Sequence, residues 1–318
     1  MGLGLSIPLP GLPLPAHRDV VAALPDLGYT DVWSSEADGA DGFTPLALAS
    51  AWAPQLRLGT AIIPVYTRGA AVLAQSAATL AEAAPGRFAF GIGVSSQVIV
   101  EDWNGMRQDR PYARARDTIR FLRAAFAGEK VSQEYETFAV RNFRLGVVPE
   151  QPPPILLAGL REGMLRLAGR EADGAILNWL SPDDARKLVP IVDAAGPGKE
   201  TVARIFVLPV EDREAVRAIA TRAIAAYLTV PVYAEFHRWL GRGDALADLW
   251  RLWNAGERRQ AAAAVPDSVI DELIVHGSPE ACRERVLQFA DAGVTTPMMM
   301  MLPGPYDVAE AVRRLAPR

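Results

Sequence analysis

Short apolar runs of β type alternate with helical patterns along almost the whole chain, and this rhythm constrains the fold more than any single motif. Strands are expected at 2–8 (GLGLSIP), 30–35 (TDVWSS), 57–65 (RLGTAIIPV), 87–94 (RFAFGIGV), 154–160 (PILLAGL), 174–180 (GAILNWL), 203–210 (ARIFVLPV) and 295–302 (TTPMMMML). Helices are expected at 16–28, 44–54, 70–84, 112–127, in the run EGMLRLAGREA, at 278–293 and near 306–316. Two stretches break the rhythm. Alternation around Tyr135, Phe138 and Phe143 predicts a hairpin inserted near 130–148, and 211–265 reads as a long helical insertion. Strands that are apolar on both faces belong in a parallel sheet covered by helices, and eight of them predict an α/β protein, a (β/α)8 TIM barrel. A doubly wound sheet competes, but it would ordinarily hold fewer strands at this length.

A length of 318 residues fits one barrel domain over 1–318, with half of the residues hydrophobic to fill its core. The net charge of −4 and the scattered arginines argue against nucleic acid or an anionic membrane as partner. A single cysteine, Cys282, excludes an internal disulfide framework and any Cys-rich metal centre. His17, His237 and His276 are too far apart in sequence to read as a metal-binding cluster, so no metal is expected. The first fifteen residues lack a positive n-region and are broken by prolines, and PMMMMLP is too short for a bilayer span. A soluble, cytoplasmic protein is the expectation.

The run FAFGIGVSS (88–96) looks like the opening of a dinucleotide fingerprint with Ser96 in place of the third glycine. That fingerprint needs a helix to start at the third glycine, and here SSQVIVEDWNG intervenes. In a barrel the same residues end strand four on the face where active sites lie. Glycines there admit a flat ligand or simply pack tightly, and the residues alone leave both open. GPGKE (196–200) lacks the rest of a phosphate loop and reads as a turn, and no G-x-S-x-G elbow is present.

The other strand ends supply the candidate rim. Glu36 follows strand two, where a carboxylate can orient a ligand or move a proton, or simply be a solvated loop acid. Tyr66, Thr67 and Arg68 follow strand three; Glu101, Asp102, Trp103 and Asn104 follow strand four; Asn178 and Trp179 end strand six. A rim of aromatic and amide groups suits a flat conjugated ligand. The aromatics of 211–265 wall a pocket above it or, more commonly for such a stripe, form helix core.

Several segments, in order along essentially the whole chain, resemble the bacterial luciferase-like superfamily of flavin-dependent monooxygenases and coenzyme F420-dependent oxidoreductases. They are LGTAIIPVYTRGAAVLAQSAATLAEAAPGRFAFGIGVSS, AGLREGMLRLAGREADGAILNWLSP and HGSPEACRERVLQFADAGV. LGLSIP and the stretch from Glu36 to Leu46 are most similar to the F420-dependent branch. The resemblance implies a (β/α)8 barrel with an insertion, and a strand-three bulge near Ala61 and Ile62 with a non-prolyl cis peptide behind the deazaflavin. It implies cofactor contacts at Ser95 and Ser96, and the rim amide Asn178 is a further cofactor-binding candidate from its place at the end of strand six. It also implies a phosphate-receiving loop and helix start at Ala158, Gly159, Leu160, Gly163 and Met164. Relatives with Asp-His after strand two differ from this chain, which reads Glu36-Ala37, so a sugar-phosphate substrate is not expected. The basic residue of the phosphate loop is replaced by Leu160-Arg161-Glu162, where Arg161 can substitute and Glu162 opposes it.

The expected protein is an F420-dependent oxidoreductase passing hydride between deazaflavin C5 and a small organic substrate, acting as a homodimer. Glu36 is the first choice for the proton, with Glu101 and Tyr66 behind it. The alternatives are an FMN-dependent two-component monooxygenase and a catalytically inactive barrel that binds cofactor.

Overall fold

The computed structural model describes residues 2–317. Its eight barrel strands are β1 (Gly4–Ser6), β2 (Asp31–Ser34), β3 (Arg57–Thr60), β4 (Phe88–Gly93), β5 (Ile155–Ala158), β6 (Gly174–Asn178), β7 (Glu200–Leu208) and β8 (Thr296–Met301). Each pairs in parallel with the next, and the β8–β1 pairing closes the ring. Closure explains the unalternating strands: helices cover the outside while side chains fill the inside.

Alternation sorts the interior into layers. At the N-terminal end of the strands lie Asp31, Arg57, Glu200 and Thr296. Arg57 donates to both Glu200 oxygens at 2.6 Å and to Asp31 at 3.4 Å, and Thr296 donates to Glu200 at 2.9 Å. Two residues further along each strand the interior is apolar, built from Trp33, Ala89, Leu156, Ile176, Val202 and Met298. Trp33 lies across this layer because β1 and β3 offer no side chain there. A Cβ on Gly59 would stand 2.2 Å from its ring, and one on Gly4 2.8 Å. The uppermost layer opens at the C-terminal ends of the strands and includes Gly93, Ala158, Asn178 and Arg204.

Some expected boundaries shift. The strand expected at 57–65 is interrupted: β3 stops at Thr60 and pairing with β4 resumes at Ile63–Pro64. β7 begins at Glu200, directly after the GPGK turn, and Lys199 donates to the Ala172 carbonyl at 2.8 Å. A helix at Pro182–Ala195, opened by a Ser181–Asp184 capping box, was not expected because Pro190 and its charges blur the period. A short strand at Ile274–His276, paired to the end of β7, was also missed, since three residues show no periodicity. His17 is buried, and its Nε2 accepts the Leu9 N–H at 2.7 Å.

The hairpin is present as Val131–Glu134 against Ala139–Phe143. The 211–265 region resolves into helices Arg213–Leu228, Pro231–Trp239, Ala247–Asn254 and Arg258–Ala263, followed by Asp267–Leu273. These enclose a second core containing Trp179, Phe206, Leu228, Leu249 and Trp250. No single helix among the described residues is long and apolar enough to cross a membrane.

Candidate active site

The interruption after β3 organises the mouth of the barrel. Between the Gly59–Ala89 and Ile63–Ile92 pairings, three residues of one chain (Thr60, Ala61, Ile62) face two of the other (Phe90, Gly91), which is a bulge. The Ala61–Ile62 peptide bond is cis, where the resemblance placed one. The bulge deprives Gly91 of ladder partners on that side, and the Thr60 hydroxyl replaces both. It donates to the Gly91 carbonyl and accepts the Gly91 N–H, each at 2.8 Å. Gly91 tolerates no side chain, because a Cβ would lie 1.8 Å from the Thr60 carbonyl oxygen.

The same bulge turns Ile62 toward the end of β4. A Cβ on Gly93 would meet Ile62 Cγ1 at 3.0 Å and the Ala158 Cβ at 3.1 Å. Ile62, Gly93 and Ala158, from three separate places at the barrel mouth, therefore meet at one apolar point. Beyond Ala158 the chain turns at Gly159, where a Cβ would touch Leu165 at 3.1 Å, and enters the helix Glu162–Glu171. No side chain caps that helix, and Gly163 in its first turn faces open space. Glu162 is bound to Arg166 at 2.7 Å, so its charge is balanced within its own helix, and Arg161 is exposed. A flat ring against the apolar point and an anionic group at the helix start would both find complementary chemistry. The donor set thus fits a flavin-like cofactor with a phosphate.

Ser95 and Ser96 stand at the β4 end. Ser95 holds a left-handed backbone (φ 61°), and Gln108 clamps the turn by donating to the Val94 and Ser95 carbonyls at 2.7 and 3.2 Å. Ser96 accepts the Ile99 N–H at 3.4 Å, capping the turn Val98–Trp103.

The model that matches residues 5–296 is that of the luciferase-like monooxygenases. The chain belongs to that family. A Mycobacterium tuberculosis protein named as a candidate coenzyme F420-dependent oxidoreductase is 30% identical, over 99% of this chain and 98% of its own. Among solved structures, the coenzyme F420-dependent tetrahydromethanopterin reductase of Methanopyrus kandleri superposes with a TM-score of 0.78 at 19% identity, covering 99% of this chain and 97% of its own. The FMN-bound oxygenating component of a Baeyer–Villiger monooxygenase from Pseudomonas putida gives 0.70 at 16%, covering 100% and 97%. At these identities the two structures speak for the fold, a luciferase-like barrel.

Within that luciferase-like barrel, the three candidates for proton handling are each engaged. Glu36 is half-buried; Arg68 donates to its two oxygens at 3.3 and 2.6 Å, and the Gly42 N–H to one of them at 3.2 Å. Its own backbone N–H meets the Ile62 carbonyl at 3.1 Å, which ties the β2 end to the bulge. Tyr66 is buried, donates to the Asp109 carbonyl at 2.5 Å, and burial pushes its hydroxyl up to about 12. Glu101 accepts the Gln108 N–H at 3.0 Å, which holds its carboxyl below the usual range, and Gln97 at 2.7 Å. Asn178 donates to the Tyr233 hydroxyl at 3.1 Å and accepts the Trp179 N–H.

Trp179 is not a rim surface. Its φ of 54° turns the ring away from the mouth into the second core, where it stacks on Phe206 at 4.1 Å. Arg204 also stands at the mouth and was not among the expected rim residues. Its position, two residues after Val202 on an interior-facing register, was the available signal: a charge in the middle of an otherwise apolar run.

Proposed function

We propose that the chain is a coenzyme F420-dependent oxidoreductase that transfers a hydride between the deazaflavin and a small organic substrate. The observation that carries this is the meeting of Ile62, Gly93 and Ala158 beside an uncapped helix start. It supports a flat ring with a phosphate tail, and the F420-dependent relatives favour deazaflavin. When bound, the cofactor supplies the hydride; the protein binds, orients and handles the proton.

In this proposal Ala61, Ile62, Gly93 and Ala158 back the ring, and the Ser95–Ser96 turn borders its edge. Gly159, Leu160, Gly163 and Met164 receive the phosphate at the helix N-terminus, with Arg161 adding charge. Glu36 is the proposed acid–base group, since it alone of the three carboxyl and phenol candidates is tied to the bulge itself. Glu101 and Tyr66 are proposed to hold the loop that follows β4. Asn178 is proposed to orient Tyr233 over the ring.

Fluorescence titration of the purified chain with F420 and with FMN tests the cofactor. Micromolar binding of F420 with weaker binding of FMN is expected. Tight FMN with no F420 would overturn the proposal in favour of an FMN-dependent monooxygenase, which oxygen uptake with supplied FMNH2 would reveal. F420 binding with no turnover across a substrate panel would favour a barrel without catalysis. Glu36→Gln should keep F420 affinity within about threefold while kcat falls at least about a hundredfold.

A further inference from the structure

Two arginines face the barrel interior, half-buried Arg57 and buried Arg204, and the barrel treats them differently. Arg57, at the closed end, is paired on both sides with Glu200 and Asp31. Arg204, in the uppermost layer of β7, is 9% exposed, has no acidic partner and no hydrogen bond among the described residues, and its Nε is buried without an acceptor. Burying an unpaired guanidinium is costly, and apolar replacements of similar volume would avoid the cost. An anion from outside the chain would supply the partner that the Arg204 guanidinium lacks.

The position of Arg204 indicates which anion. In the cyclic strand order, β7 stands four strands from β3, so Arg204 faces the mouth from the side opposite the Ala61–Ile62 bulge. A ring resting on Ile62, Gly93 and Ala158 would turn its other face toward Arg204. Around the guanidinium the walls are aromatic. The Phe206 ring lies 5.2 Å from it, and half-buried Tyr227 and Tyr233 pack edge to face at 5.7 Å.

We propose that Arg204 is an anion-recognition residue and that the substrate is a small carboxylate with an apolar body. This rests on the proposed oxidoreductase function, which places the cofactor on the β3 side. The anionic oxygen Arg204 awaits belongs to the substrate rather than to the cofactor ring.

Calorimetric titration with benzoate and with its neutral counterpart benzamide, with and without F420, tests this. The wild-type chain is expected to bind benzoate at least about tenfold more tightly than benzamide. Arg204→Met and Arg204→Gln, which remove the charge while keeping length, should abolish the preference, and Arg204→Lys should keep part of it. Equal binding of the two probes by the wild type, or a preference retained in either neutral variant, would overturn the proposal. F420 affinity should stay within about twofold in Arg204→Met; a tenfold loss of it, with the benzoate preference intact, assigns the anion to the cofactor and also overturns it. A benzoate preference that depends on Arg204 in a chain that binds no F420 supports the anion site while refuting the proposed cofactor. Thermal unfolding of Arg204→Met at or above the wild-type temperature is expected, since a binding residue, unlike a structural one, is not needed for the fold.

Discussion

Replacing Thr60 by Val tests whether a side chain stands in for the sheet at the bulge. The two residues are nearly the same shape, so the change exchanges one hydroxyl for a methyl and leaves packing in place. Both Thr60 and Gly91 are buried, and both Gly91 bonds on that side run to the Thr60 hydroxyl at 2.8 Å. Each buried peptide group left without a partner costs about 1–3 kcal/mol, so the pair should cost about 2–6 kcal/mol. With an unfolding entropy of about 2.1 cal/mol/K per residue, a chain of 318 residues melts about 3–9 °C lower for that loss. Differential scanning calorimetry reads this directly, and Thr60→Ser, which keeps both bonds, should stay within about 1–2 °C. Because the bulge also presents Ile62 to Gly93 and Ala158, F420 affinity should fall in Thr60→Val and survive in Thr60→Ser. A Thr60→Val protein that melts and binds as the wild type does would refute the reasoning.

Two further outcomes concern the helical insertion. His237 is buried, and burial followed by the nearby Arg242 pushes its ring down to about 3, against 6.5 when exposed. The unfolded chain therefore binds the extra proton between those values, so stability falls as pH is lowered from 6.5, by up to about 1.4 kcal/mol per unit. His237→Leu should flatten that slope in urea midpoints taken at pH 7.5, 6 and 5, and an unchanged slope would count against it. Arg242 and Asp184 form a pair at 2.7 Å, both buried. Arg242→Ala strands the Asp184 carboxylate and should cost about 3–5 kcal/mol by urea denaturation; a loss below about 1 kcal/mol would show the pair to be slack.

The barrel was legible because parallel strands covered on both faces leave runs that neither helices nor hairpins imitate. GIG at 91–93 was legible only once its place was known: it lacks the helix a dinucleotide loop needs, and its bareness is explained by Thr60, Ile62 and Ala158. What stayed hidden depends on contacts distant in sequence. Nothing near Glu36 announces Arg68 as its partner, nothing near Tyr66 announces the Asp109 carbonyl, and Trp179 looked like a rim residue until its left-handed backbone turned it inward. Arg204 was hidden for another reason. A single charge in an apolar strand reads as an irregularity until the alternation of β7 is fixed by its neighbours.

The Trp33 layer makes the barrel a cup rather than a pipe. Below it the Arg57–Glu200–Asp31 cluster closes the base, so traffic of substrate, product and solvent is confined to the loop face. Loops there can diverge and change what is bound without touching the base. The base can change only in concert, since a smaller residue at 33 leaves a void that Gly4 and Gly59 cannot fill unless they change with it.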